Sequence, residues 1–256
     1  MIQNETLHAS NSGHVVTLLF YRPPHNFIDT PLLKALADQI DALDADEYCS
    51  VIVLGSQGKS FCAGADFGAI GTGGQMIDSA ALYGQAMRLF RNRKPIVAAI
   101  QGAAIGAGLG LALAADFRIA CPASRFSANF NRLGFHPGFG LSATLPRLVG
   151  LQQAAKLFYT GERIDGARAV AIGLADELVA NEDVLARAQA LAHEIAISEP
   201  HAVQTTRASL RLGLADEVQS LNERELAFQL VQFQSKDFRE GVAAAAERRL
   251  PVFTGR

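Results

Sequence analysis

Two short runs of small residues hold the chemistry most readily read from this chain: Phe61-Cys-Ala-Gly-Ala-Asp-Phe67 and Gly102-Ala-Ala-Ile-Gly-Ala-Gly108. Each follows an apolar run that reads as a strand, Val51-Ile-Val-Leu54 before the first and Pro95-Ile-Val-Ala-Ala-Ile100 before the second. Glycine and alanine let a ligand come close to the main chain, so N–H groups in such turns are available as hydrogen-bond donors. Two turns aimed at one point would form an oxyanion hole, which stabilises charge developing on a carbonyl oxygen. Taken singly, either turn reads equally as a place where strand and helix pack closely. Their joint occurrence in the same strand–turn setting favours the chemical reading. A titratable partner is at hand in His136, within Gly134-Phe-His-Pro-Gly-Phe-Gly140. An imidazole flanked by Phe135, Pro137 and Phe139 can act as an acid or base near neutrality. The alternative is a histidine that only hydrogen-bonds backbone in a tight loop.

The elements that must position these groups follow from periodicity. Val15-Val-Thr-Leu-Leu-Phe-Tyr21 is β-branched and aromatic, reads as a strand, and ends at Arg22-Pro23-Pro24. Asp29-Thr30-Pro31 starts a helix in which Leu33, Leu36, Ile40 and Leu43 form one apolar stripe. A glycine-rich stretch, 55–74, reads as a functional loop, and 75–91 as a helix stopped at Lys94-Pro95. Residues 109–115 predict a short helix buried on all sides, and 117–121 and 124–127 two short strands. From Leu141 onward helical patterns dominate, broken at Gly150, Gly161, Gly173 and Pro200. Strands alternating with helices, then a run of helices, predict a mixed α/β core (1–196) carrying a C-terminal helical region (197–256).

Composition and competing motifs narrow the function. A net charge of −2 with no basic stretch argues against nucleic acid. No apolar run is long enough to span a bilayer, and the first residues lack a signal-peptide pattern. Three widely spaced cysteines (Cys49, Cys62, Cys121) form no metal-binding pattern and fit a reducing, cytoplasmic setting. Gly106-Ala-Gly108-Leu-Gly110 is an incomplete dinucleotide fingerprint, with Leu111 at its sixth position. No phosphate loop, nucleophile elbow or zinc pattern is present, so neither a resident metal nor a permanently bound cofactor is expected.

With its two small-residue turns the chain resembles the crotonase superfamily, the enoyl-CoA hydratases and isomerases. Asn26 after Arg22-Pro-Pro-His25, Leu145-Pro-Arg-Leu-Val149 before Gly150, and the ending Asp237–Val242 with Glu247–Arg256 extend the resemblance nearly end to end. It implies a spiral of ββα units with a C-terminal helical trimerisation region, assembled as a trimer or a dimer of trimers. It further implies an acyl-CoA substrate, coenzyme A entering as part of the thioester, and backbone N–H donors at Ala65 and Ala107. The backbone of Ala63, Ala65, Asp66 and Phe67 would then hold the pantetheine and adenine portion of coenzyme A, with Ala107 beside the thioester. Arg22, Lys59 and Arg249 are candidates to meet phosphates.

The resemblance breaks at the acids. The two glutamates that hydratases of this superfamily use to handle water fall here on Gly110 and Phe130. The expectation is therefore an enzyme of the enoyl-CoA hydratase/isomerase type in which hydration itself is in doubt, and His136 is the candidate for proton transfer. Decarboxylation or another enolate reaction fits the missing carboxylates, a non-catalytic acyl-CoA-binding protein is the alternative, and a thioesterase is the more distant one. Asn129 and Asn131, beside the lost carboxylate, are placed to hold a water.

Overall fold

The computed structural model describes residues 3–4, 6–67 and 78–255. Most of the expected glycine-rich loop beyond Phe67, and the expected helix start at Gln75, lie outside the described residues. Strands β1 (Gln3–Asn4), β2 (Leu7–Ser12), β3 (Val15–Phe20), β4 (Val51–Ser56), β5 (Ile96–Ile100), β7 (Phe117–Ala120) and β10 (Glu177–Leu178) make one sheet in the order β1-β2-β3-β4-β5-β7-β10. The β1–β2–β3 edge is antiparallel and the rest parallel. A second sheet, β6-β8-β9, joins β6 (Ala103–Ile105), β8 (Arg125–Ser127) and β9 (Ile164–Asp165).

Side-chain alternation divides the core into two. Val16, Leu18, Phe20, Ile52, Leu54, Ile96, Ala98 and Ile100 belong to the main cluster, together with helix α1 (Thr30–Ala45) and helix α2 (Ser79–Leu89). The intervening residues Val15, Val51, Val53, Val97, Ala99 and Ile119 form a smaller cluster with Val184, Ala188 and Ala192 of a helix at Val184–Ala196. A strand period of two and a buried sheet explain both faces being apolar. Helix α1 starts as its sequence predicts: Asp29 caps it, accepting from Leu32 N at 2.9 Å, with Pro31 in the first turn. Leu33, Leu36, Ile40 and Leu43 are all buried.

Helix α3 (Ala107–Ala114) is buried along its whole length, as its uniformly apolar sequence requires. Helix α4 (Leu141–Thr160) is broken at Gly150, where the backbone leaves the helical region (φ 76°). The C-terminal helices Pro200–Leu210, Leu214–Gln232 and Lys236–Ala246 fold back on the core. Asp116 anchors the first of them, ion-paired with Arg207 (2.9 Å) and Arg211 (2.8 Å) while accepting from Ile96 N. The last packs directly on the 129–133 segment: a β-carbon on Gly241 would lie 2.4 Å from the Leu133 carbonyl carbon. That contact closes the far wall of the candidate site.

Candidate active site

The two small-residue turns are joined main chain to main chain. Cys62 N donates to Ala103 O (2.7 Å) and Ile105 N donates to Cys62 O (3.0 Å). Glycine is needed where they touch. β-Carbons added to Gly102 and Gly108 would fall 1.9 Å from Lys59 O and 2.1 Å from Cys62 O. Gly64 has φ +92°, and its β-carbon would sit 2.7 Å from Ile105 O and 3.8 Å from Ala107 N. Asn26 holds the first turn from behind. Its amide donates to Gln57 O (2.8 Å) and Ser60 O (2.7 Å), and its Oδ1 accepts from Arg22 N. Buried and fully bonded, Asn26 is a loop clamp, which accounts for its adopting a φ of +53°.

Ala107 is the first residue of helix α3, whose N-cap Gly106 has φ +55°. N–H groups of a first turn have no intrahelical acceptor, and the helix dipole adds positive potential there. No main-chain hydrogen bond takes up the Ala65 or the Ala107 N–H within the described residues. Both residues line one cavity of about 280 Å³, with Ala63, Gly64, Asp66 and Phe67 of the first turn and Ile105 and Gly106 of the second. The sequence-named group thus converges on one space, apart from Arg22 and His136.

Aromatic side chains dominate the remaining wall. Phe27, Phe67, Phe130, Phe135 and Phe233 reach the cavity. The Phe135 ring packs edge-on against Phe67 (5.3 Å between centroids), Phe130 (5.4 Å) and Phe238 (5.6 Å), and tilted on Phe233 (5.1 Å). Val242, Ala245 and Ala246 of the last helix complete the wall. The spacing of 242, 245 and 246 marks one helical face. Polar side chains on the wall come from Asp66, Ser79, Tyr83 and Asn129.

The two positions expected to lack acids do so for a visible reason. Phe130 is buried and lines the cavity. Gly110 is covered by Phe139: a β-carbon there would lie 2.6 Å from the Phe139 ring. His136 lies elsewhere. It is not among the cavity-lining residues, its Nδ1 is 2.8 Å from Pro137 O, and its ring lies over Phe228 at 5.2 Å. Gln232 accepts from its N–H and Gln229 donates to its carbonyl. The placement supports the packing role and gives the proton-transfer expectation no geometry. Phe135, one residue earlier, faces the cavity instead.

Two other expectations shift. Arg22 pairs with Asp29 at 2.5 Å and is not on the cavity wall, and Arg249 is held by Glu240 and Glu247. Lys59 is exposed. Cys62 is fully buried and burial pushes its thiol up to about 12, so it is no nucleophile at neutral pH. Among the described residues no group of three or more His, Cys, Asp or Glu could hold a metal, and no helix is long and apolar enough to cross a membrane.

A carboxylate that sequence reasoning passed over lies behind the wall. Glu225 is buried and accepts from Gly140 N and Ser142 N, both at 2.8 Å, bonding the N-terminus of helix α4. Burial outweighs those bonds and raises its pKa to about 7. Beside it, the Tyr83 hydroxyl donates to Gln229 Oε1 at 3.1 Å, and burial raises the Tyr83 pKa.

Paired turns at the head of a buried helix, in a core with a largely parallel sheet and a C-terminal helical part, mark a protein of the crotonase superfamily. Residues 10–256 match the family model described as enoyl-CoA hydratase/isomerase. The chain belongs to that family. It is 34% identical to a probable enoyl-CoA hydratase of Bacillus subtilis (strain 168), over 94% of this chain and 95% of the relative. The crystal structure of an enoyl-CoA hydratase/isomerase from Pseudoalteromonas atlantica T6c superposes with a TM-score of 0.87 at 28% identity, covering 97% of this chain and all of that one. A carnitinyl-CoA hydratase from Mycobacterium avium gives 0.87 at 27%, over 99% and 100%.

Proposed function

We propose that the protein processes acyl-CoA thioesters, holding the thioester oxygen on the Ala65 and Ala107 N–H groups and stabilising an enolate there. The observation that carries this reading is that Ala65 and Ala107, whose N–H groups have no main-chain acceptor among the described residues, line one cavity on turns bonded to each other through Cys62. Fixed donors in a low-dielectric site stabilise a developing oxyanion without reorganising at the moment of reaction. With Gly110 and Phe130 in the usual acidic positions, two-carboxylate hydration has no machinery here. Double-bond isomerisation passes through the same enolate but needs one proton removed and another delivered, whereas loss of CO2 from a malonyl-type thioester forms the enolate by C–C cleavage and needs only a proton to quench it. Exposed apolar side chains of the C-terminal part, Ile197, Leu210, Leu212, Leu250 and Val252, support assembly as three or six copies.

A second reading, a non-catalytic acyl-CoA-binding protein, is favoured by one observation: Phe130 and the Phe139-covered Gly110 replace acids with apolar surface. Mass spectrometry of 2-enoyl, 3-enoyl, 3-hydroxyacyl and malonyl-type CoA thioesters incubated with the protein in D2O separates the two. Water addition, CO2 loss or deuterium in the acyl chain supports enolate catalysis. Tight binding with every thioester unchanged transfers the conclusion to the binding protein.

A further inference from the structure

A second hollow, of about 430 Å³, lies between the turn that follows helix α2 and the helix Pro200–Leu210. Its volume is in the range of small-molecule sites, and it shares no lining residue with the candidate active site. Arg91, Arg93, Arg207 and Arg211 reach its wall against one acid there, Asp216, in a chain whose net charge is −2.

These arginines are not equally engaged. Arg207 is buried and spent: its Nε donates to both Asp116 oxygens, and its Nη1 and Nη2 donate to Asn92. Arg211 meets the same carboxylate through Nη1 alone, at 2.8 Å. Its Nη2 reaches only the Ala114 carbonyl, at 3.4 Å, and its buried Nε has no partner. Nε with Nη2 is an edge on which a guanidinium meets an oxyanion in two parallel bonds. Nε is closed to water in this conformation, so an oxyanion reaches that edge with a small shift of the side chain. Arg91 touches Asp216 only at 3.5 Å, and Arg93 bonds Asp44 through Nε and Nη2, leaving Nη1. The side chains of His201 and Gln204, also on this wall, make no hydrogen bond with any described residue.

Two guanidiniums, Arg207 and Arg211, share the single carboxylate of Asp116 and leave positive charge uncompensated. Burial lowers the Arg211 pKa, with Asp116 opposing and Arg207 and Arg147 adding to the fall, so a further anion beside it is favoured. A carboxylate would balance that pair only. A phosphate group carries about −1.5 to −2 charge near neutrality and three acceptor oxygens, enough to engage Arg91 and the free donors of Gln204 and His201 as well.

We propose that this hollow is a second ligand site, separate from the active-site cavity, that binds a phosphate group through Arg211 and Arg91 with Gln204 and His201 at its side. It stands or falls apart from the acyl-CoA reading.

Calorimetric titration of the full chain with inorganic phosphate and with glycerol 3-phosphate tests this, at an ionic strength held constant with sodium chloride. Saturable binding of one anion per chain is expected, with a Kd of about 1 mM or tighter. Tighter binding of the ester marks an organic phosphate as the ligand, and tighter binding of the inorganic ion marks free phosphate. Gln204→Glu, at a half-buried position of the helix, puts a carboxylate into the hollow and is expected to weaken both at least about tenfold. Arg211→Lys keeps the charge, loses the two-point edge and is expected to weaken both about tenfold; the Gln204 variant decides if this one does not fold. Saturating butyryl-CoA is expected to leave the phosphate affinity unchanged. No saturable binding in the wild type, or an unchanged affinity in folded Gln204→Glu, overturns the site. Displacement of phosphate by butyryl-CoA overturns it too, because the anion would then occupy the coenzyme A site.

Discussion

The ring of Phe139 occupies the space that any side chain at Gly110 would need. A β-carbon at Gly110 would lie 2.6, 2.6 and 2.7 Å from Phe139 Cδ1, Cγ and Cβ, and Phe139 itself is fully buried with φ +65°. The Phe139 ring thus leaves no room for a carboxylate side chain at Gly110. Gly110→Glu alone is expected to destabilise the fold by roughly 3 kcal/mol or more, through overpacking and a buried charge, without producing hydration. The triple variant Gly110→Glu, Phe130→Glu, Phe139→Ala makes room for both acids. Hydration of crotonyl-CoA, followed by loss of the enoyl absorbance, should appear only in that combination. A folded triple variant that adds no water would show that the site differs from hydratases by more than its acids.

The oxyanion donor at Ala107 can be removed with little disturbance, because it is the first residue of a helix. Proline is well accommodated there, its fixed φ suits the helix, and the N–H it lacks has no partner in the helix. Ala107→Pro is therefore expected to leave the melting temperature within a few degrees of wild type. Turnover of whichever thioester the protein converts should fall by about a hundred- to a thousandfold. Turnover within tenfold of wild type in a folded variant would remove Ala107 from the chemistry.

Much of this arrangement was legible where local chemistry dictates structure. Strands 15–20, 51–56 and 96–100, the capped helix 30–45 and both turns follow from apolar runs, Asp29-Pro31 and small-residue spacing. Strand 7–12 was not legible, since the burial of His8 to Ser12 falls off toward the solvent-exposed end and leaves no alternation to read. Strands 164–165 and 177–178 are two residues long and carry no pattern. The cavity wall is tertiary: Phe135, Phe233 and Val242 meet only because the last helices return to the core. Arg22, a candidate to meet phosphate from the sequence, pairs with Asp29 in the structure, a contact that the sequence does not reveal.

His136 separates proximity in sequence from proximity in space. Its ring is engaged with Phe228 and the Pro137 carbonyl rather than with the cavity. His136→Gln is expected to keep turnover within about threefold of wild type, because its ring is engaged with Phe228 and Pro137 O and is not among the residues lining the cavity. A modest loss of thermal stability should accompany it through the weakened contact with helix 214–232. A hundredfold fall in turnover with unchanged acyl-CoA affinity would return this imidazole to the mechanism.

Glu225 ties the loop that carries Phe139 to the C-terminal helices, and its ionisation should be readable in stability. Burial is the largest influence on this carboxyl and raises it from 4.5 to about 7, against the opposing bonds from Ser142 and Gly140. A carboxyl with a raised folded-state pKa binds its proton more tightly folded than unfolded. Between 4.5 and about 7 the folded chain therefore holds the extra proton, and stability falls as pH rises through that window. The full loss, up to roughly 3 kcal/mol, is present above it. Glu225→Gln keeps one acceptor, turns an amide donor toward the second N–H, and is less stable at low pH by about 1–3 kcal/mol. It cannot titrate, so its urea-unfolding free energy should decline less than that of the wild type across the same window. Parallel pH profiles for the two proteins would mean that the Gly140 and Ser142 bonds outweigh burial and keep Glu225 ionised throughout.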